Sequence, residues 1–199
     1  MKVPLYPFVY PVNGNSFIEY DKPVVYPINA VIAKTLEKNE KAKVVLLATK
    51  GGAGMSTTNI EEFKKELNTI NKDIGANIAY ESVEVPFDLN SDVYDELLSK
   101  LIDTIKNEKH AQIIADITYG IKPLLMILFC ALNFAEKFFN ATVENIVYGK
   151  VEFKNANKPP ENPMLYDITQ IYYLNKMIGS MESPTAETAV TTLNDFFTL

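Results

Sequence analysis

Gln112-Ile113-Ile114-Ala115-Asp116-Ile117-Thr118-Tyr119-Gly120-Ile121-Lys122-Pro123 is the stretch on which the fold turns. Its first six residues, QIIADI, form a short apolar run suited to a strand covered on both faces. Thr118-Tyr119-Gly120 then breaks the run with turn chemistry. Pro123 pre-sets φ for the first turn of a long apolar helix, predicted over Pro123–Phe139. A strand that feeds straight into a helix is half of a parallel crossover, so the neighbouring segments should alternate in the same way.

They do. Upstream, Ser91 caps a predicted helix, Asp92–Lys106, with Val93, Leu97, Leu98, Leu101, Ile102 and Ile105 on one face. Before it, Asn77–Val85 alternates like a strand. A further helix starts at Thr57 or Thr58, carries Glu61 and Glu62 in its first turn, and runs to about Ile74. Lys43–Thr49 (KVVLLAT) is a second continuous apolar strand, and Pro27–Asn39 has helical spacing through Ile28, Val31, Ile32 and Leu36. Val3–Tyr10 reads as the first strand despite Pro4 and Pro7, followed by the turn Pro11–Asn15 and an irregular Ser16–Pro27. Downstream, Thr142–Phe153 is a final strand or hairpin arm. Lys154–Pro163 is a polar loop, and short helices are expected near Thr169–Met181 and Thr185–Phe197.

This order predicts an α/β, Rossmann-like fold: a mostly parallel sheet, helices on both faces, and short C-terminal helices. Residues 1–155 form the ligand-binding core, and 156–199 a helical extension of the same domain. The segment Leu124–Leu132 is apolar all round, so its helix needs cover on more than one side. Cover comes from the C-terminal helices or from a second subunit. Cys130 within it reads as a small core residue.

Composition removes several function classes. With 199 residues, 47% hydrophobic and 22% charged, the chain is neither disordered nor dependent on staples. Its 19 basic and 25 acidic residues leave a net charge of -6, which disfavours a coat for duplex nucleic acid or an anionic membrane. All the basic residues are lysines, so an anion site must use ammonium groups, backbone amides and helix N-termini. The single Cys130 and single His110 rule out an intramolecular disulfide and multi-cysteine or multi-histidine metal sites. No metal or cofactor is expected. No apolar run approaches the roughly 20 residues needed to cross a bilayer. With no signal peptide either, a soluble cytoplasmic protein is expected.

Ligands of parallel sheets gather where strands end in loops. That rule selects Pro11–Ser16, Lys50–Thr57, Pro86–Ser91 and Thr118–Lys122. In the second loop, Thr49-Lys50-Gly51-Gly52-Ala53-Gly54-Met55-Ser56-Thr57, three glycines let backbone amides approach an anion. It looks like a deviant P-loop, but Met55 stands where the phosphate-binding lysine belongs. In the fourth, Thr118, Tyr119, Gly120, Ile121 and Lys122 combine a hydroxyl, a ring and a cation at a helix start. Asn13, Gly14, Asn15 and Ser16 add amide and hydroxyl groups after the first strand. Each loop also has a plain reading as turn chemistry.

Asp116–Lys122 (DITYGIK), the apolar helix after it, and Val143–Gly149 (VENIVYG) resemble the CARF domains of CRISPR-associated proteins. Tyr166-Asp167-Ile168-Thr169 resembles the entry to their C-terminal helix. Tyr119 stands where that family often has histidine, and Lys122 where it often has arginine. The resemblance implies a Rossmann-like homodimer that binds cyclic oligoadenylate, most often cyclic tetra-adenylate, in a cleft across its two-fold axis. Such a sensor serves type III CRISPR antiviral signalling. Carried over by position, the contacts are Asn13–Ser16, Lys50–Thr57 and Thr118–Lys122. Some members cleave the ring by attack of a ribose 2′-OH on its phosphate, without metal. Here Lys122 would stabilise the developing charge, and Thr118, Ser16 or Ser56 would orient the phosphate. The chain is then a stand-alone sensor or ring nuclease, or the sensor portion of a longer effector. A P-loop-like nucleotide-binding protein using Lys50–Thr57 is the alternative from another class.

Overall fold

The computed structural model describes residues 5–50, 55–86, 91–154 and 158–197. The chain runs β1 (Val12–Asn13), α1 (Pro27–Thr35), β2 (Lys41–Lys50), α2 (Met55–Ile74), β3 (Asn77–Pro86), α3 (Ser91–Ile105), β4 (Gln112–Asp116), α4 (Lys122–Phe139), β5 (Thr142–Glu152), β6 (Glu161–Asp167), α5 (Thr169–Ser180) and α6 (Ala186–Phe197). Local chemistry accounts for the ends. Pro27 opens α1, and Pro123 lies in the first turn of α4. Asn140 closes α4 in the left-handed conformation, with its N–H on the Ala135 carbonyl.

The fold is α/β with mostly parallel pairing, consistent with a Rossmann-like arrangement. β2 pairs with β3, β4 with β5 and β1 with β6, all parallel; β5 and β6 form the one antiparallel pair among the described strands. Hydrogen bonding divides the strands into a four-stranded sheet, β1-β6-β5-β4, and a two-stranded sheet, β2-β3.

Two expectations about strands need correction. Val3–Tyr10 was expected as the first strand, yet among its described residues only Phe8 forms a bridge, to Val24. Pro7 has no N–H to give a ladder, so pairing starts beyond Pro11, where the turn was expected. Conversely, β6 begins inside the expected loop Lys154–Pro163. Asn162, at φ 52°, and Pro163 fall where the β5–β6 register shifts between Lys150 and Glu152. A bulge there absorbs two residues that a regular strand would reject. β6 lies inside the sheet, so the core continues to Asp167.

Helix α1 joins the two sheets. Its Ala30 and Val31 pack with Val147 and Leu165, while Ile28 and Ile32 pack with Val44 and Leu46 of β2 and Phe63 and Leu67 of α2. Helix α4 joins them a second time. Leu124, Ile127 and Ala131 meet Val83, Val85, Leu97 and Leu101, and Leu132 meets Ala115, Val143, Ile146 and Tyr172. The buried Val, Leu and Ile side chains among these contribute about 1.5–3 kcal/mol each relative to exposure. The outer face of α4 is different: Met126 is 67% exposed, and Cys130 is exposed instead of lying in the core.

Candidate functional site

At the end of β4 the sequence Asp-Ile-Thr folds into a hydrogen-bonded clamp. Asp116 Oδ1 accepts the Thr118 N–H at 2.6 Å. The Thr118 hydroxyl and the Ile28 N–H in the first turn of α1 lie near the same carboxylate and oppose the effect of its burial. Thr118 Oγ1 accepts the Gly149 N–H of β5 at 2.7 Å. A Cβ on Gly149 would run into the Pro27 ring and stand 3.2 Å from Thr118 Oγ1. Glycine is what lets α1 sit directly against β5.

The same tripeptide recurs at the end of β6. Asp167 Oδ1 accepts the Thr169 N–H at 3.0 Å and also the Thr169 hydroxyl. Thr169 Oγ1 accepts the Ile146 N–H at 2.8 Å. β5 is therefore held from both sides, at Ile146 and at Gly149. The two carboxylates differ in environment. Burial pushes the Asp116 carboxyl up from its ordinary value, against the opposing hydrogen bonds from Thr118 and Ile28. Burial acts the same way on Asp167, but hydrogen bonds from Thr169, Asn15 and Asn145 outweigh it and hold that carboxyl below its ordinary value.

Beyond the first clamp, Gly120 takes φ 120°, which admits glycine far more readily than any side chain. The turn then presents Tyr119, 49% exposed, and exposed Lys122, with Ile121 half-buried between them and the helix. The Tyr119 hydroxyl donates to the Val25 carbonyl at 3.4 Å, and its ring meets the Tyr26 ring edge-on at 6.1 Å. Burial, with Asp116 and Glu66 nearby, pushes the Tyr119 phenol up to about 12, so it stays neutral and donates. No side chain caps α4; Pro123 has no N–H and the Leu124 N–H donates to the Ile121 carbonyl at 3.0 Å, so the positive end of the helix dipole is what this turn offers an anion.

Glu66 of α2 is a group that sequence reasoning missed. Its carboxylate accepts the Val25 N–H at 2.7 Å, the Tyr26 N–H at 3.1 Å and Asn29 Nδ2 at 2.7 Å. It ties α2 to the start of α1, directly behind Tyr119. In the sequence it is one more acidic residue on an amphipathic helix, and no pattern sets it apart. Tyr26, whose hydroxyl donates to the Asn59 carbonyl at 2.8 Å, likewise carries no signal.

The sequence-marked loops do not all meet. Thr49 and Lys50 end β2 opposite Val85 and Pro86. The Tyr119–Tyr26–Asn59 contacts place the early turns of α2 on the same side as Thr118–Lys122. Gly51, Gly52, Ala53 and Gly54 lie outside the described residues, as do the side chains of Lys50, Met55, Ser56 and Thr57. The Asn13–Ser16 turn starts level with the first clamp, since Val12 and Asn13 pair with Leu165 and Tyr166, which pair with Gly149 and Tyr148, but it heads the other way. β1 is parallel to β6, which is antiparallel to β5, which is parallel to β4. β1 therefore runs against β4, and its turn leaves in the opposite direction. Asn15 Nδ2 donates to Asp167 Oδ2 at 3.0 Å, sharing that oxygen with Asn145. Asn13, Gly14 and Ser16 are exposed beside it. Asn15 thus belongs to the second clamp.

Among the described residues no group of His, Cys, Asp or Glu is arranged to hold a metal ion, and no helix is long and apolar enough to cross a membrane. The chain matches no family model, and no curated protein is detectably similar to it in sequence.

Proposed function

We propose that the chain is a homodimeric sensor of cyclic oligoadenylate, with cyclic tetra-adenylate as its preferred ligand, in type III CRISPR antiviral signalling. One observation carries this reading. The DITYGIK turn is anchored through Asp116 and Thr118, and it holds a half-exposed aromatic ring and an exposed cation at the uncapped start of α4. A ring suits a purine base, and a lysine at a helix N-terminus suits a phosphate. The Rossmann-like fold and the second DIT segment at Asp167–Thr169 fit the same family.

Binding is favoured over cleavage at this site. Thr118 Oγ1 is already engaged as the acceptor of the Gly149 N–H. Lys122 then stands as the one side-chain candidate on this turn for stabilising developing charge, and ring cleavage is the second reading. The nucleotide-binding alternative rests on Lys50–Thr57, where Met55 replaces the phosphate-binding lysine.

Thermal shift tests the proposal, because a ligand of the folded state raises the unfolding midpoint. A rise with cyclic tetra-adenylate and none with ATP and magnesium is expected. The reverse pattern would favour the nucleotide-binding alternative and sink the proposal. Incubating the ring with protein and EDTA, then chromatographing the products, separates sensing from cleavage.

A further inference from the structure

The backbone from Val24 to Tyr26 has each of its polar groups accounted for, and one of them is taken by Tyr119. Val24 exchanges N–H and carbonyl with Phe8, at 2.9 Å each way. The Val25 and Tyr26 N–H groups donate to the Glu66 carboxylate at 2.7 and 3.1 Å. The Tyr26 carbonyl accepts the Asn29 N–H at 2.9 Å. That leaves the Val25 carbonyl, and the Tyr119 hydroxyl donates to it at 3.4 Å.

This segment lies between the Phe8 bridge and α1, so no regular ladder fixes it, and side chains do so instead. The Tyr26 ring meets Phe63 edge-on at 5.2 Å, and its hydroxyl reaches the Asn59 carbonyl. Asn29 is fully buried and gives Nδ2 to Glu66 at 2.7 Å, while its Oδ1 has no partner. An orphaned buried oxygen is costly, but the opposite orientation would set that oxygen against the carboxylate. Glu66 is thus the point on which Val25, Tyr26 and Asn29 converge. Tyr119 takes its pose from two of the three, through the Val25 carbonyl and the Tyr26 ring. A half-exposed ring that is already held loses less side-chain freedom when a base stacks on it.

We infer that Glu66 is a positioning residue for Tyr119: acting through Val25 and Tyr26, it pre-sets the ring on which a base of the ligand stacks. The inference rests on the stacking role given to Tyr119 in the proposed function. It adds to that site a residue of α2 that touches neither the DITYGIK turn nor the ligand.

Glu66→Gln supplies the test. The amide has one acceptor oxygen where the carboxylate has two, so either way round its NH2 faces the Val25 or the Tyr26 N–H. 3-Fluorotyrosine introduced at position 119 gives a single fluorine NMR signal from the protein without ligand. In the unaltered chain this signal should stand apart from that of free fluorotyrosine, and in Glu66→Gln it should move toward it. Calorimetry should show cyclic tetra-adenylate bound about fivefold more weakly by Glu66→Gln. The double variant Glu66→Gln/Tyr119→Ala should bind no more weakly than Tyr119→Ala, because a residue that acts only through the ring loses its effect with it. Thr169→Val serves as the control: it removes the hydroxyl that takes the Ile146 N–H at the second clamp, so it should lower the unfolding midpoint and change neither signal nor affinity. A Glu66 with a purely structural role would behave like Thr169→Val, lowering the midpoint and leaving the fluorine signal in place. That result would overturn the inference, and so would fully additive losses in the double variant. If the unaltered chain itself binds no cyclic tetra-adenylate, the ligand assignment fails, and the fluorine signal still decides whether Glu66 holds the ring.

Discussion

Thr118 and Gly149 are joined by a 2.7 Å hydrogen bond in which a threonine hydroxyl takes a backbone N–H from the middle of β5. β5 also gives the Ile146 N–H to the Thr169 hydroxyl and the Val143 N–H to the Glu136 carboxylate. The hydroxyls fasten the strand, and the carboxylates of Asp116 and Asp167 fasten the hydroxyls.

Thr118→Val keeps the shape of the side chain and removes the hydroxyl. It leaves the Gly149 N–H without its partner and Asp116 short of one donor. A loss of about 1–3 kcal/mol is expected, because an unpaired buried polar group bears its full desolvation cost. Urea denaturation checks this, and Thr118→Ser should restore most of the midpoint.

Gly149→Ala is expected to destabilise by a similar route through sterics alone. The added methyl meets the Pro27 ring, which is held by α1 and cannot swing away like a flexible side chain. Overpacking of this kind costs about 1–3 kcal/mol. The thermal midpoint should fall while the far-ultraviolet circular dichroism of the folded state stays unchanged.

The acid limb of stability should depend on Asp167 and Glu136. Burial raises the Glu136 carboxyl, but Lys176, Tyr172, the Val143 N–H and Tyr173 bring it below its ordinary 4.5. Asp167 likewise sits below 3.8. Groups whose folded pKa is depressed stabilise above the unfolded value and lose that contribution as pH falls through the folded one. Asp116 has the opposite sign. Its raised pKa favours the fold below 3.8, and that contribution is lost as pH rises through the folded value. Urea midpoints followed downward from neutral pH should therefore fall less steeply in Asp167→Asn than in the unaltered chain, from a lower starting point. An identical slope would remove Asp167 from this account.

Lys122→Ala and Tyr119→Ala address the candidate site. Both side chains are exposed at the turn, and neither holds the core. Calorimetry should show cyclic tetra-adenylate binding weakened about tenfold or more by each, a change of about 1.4 kcal/mol. The unfolding midpoint without ligand should hardly move in Lys122→Ala, and should fall modestly in Tyr119→Ala, which loses the contacts with Val25 and Tyr26. Unchanged affinity in both variants would place the ligand elsewhere.

The long periodic elements were legible because their burial follows directly from their spacing. KVVLLAT, the face of α3 and the apolar run of α4 each announce themselves. What escaped were features set by pairing between distant segments. β6 hid behind Asn162 and Pro163, which only a bulge makes tolerable. The strand at Val3–Tyr10 had the right residue types, but Pro7 took away a donor that the ladder needed. The reach of the strand-end rule depended on β1 running with β4. It runs against it, because β6 lies between β1 and β5, and no local pattern encodes that order. Cys130 was misjudged for a related reason: an apolar residue on an apolar helix looks buried until the missing neighbour is known. Of the candidate site, Thr118–Lys122 was legible as a turn. Its contacts with Val25 and Tyr26 were not, since both residues are remote in sequence.

The two clamps stand on a single stretch of β5, only as far apart as Ile146 and Gly149. Each also marks where a helix starts, α4 shortly after Thr118 and α5 at Thr169. β5 thus acts as a ruler that sets the offset between two helix starts. A residue inserted between Ile146 and Gly149, or deleted from there, would shift one clamp out of step with the other. The chain can lengthen at its surface turns, but at this point its tolerance for insertion is zero.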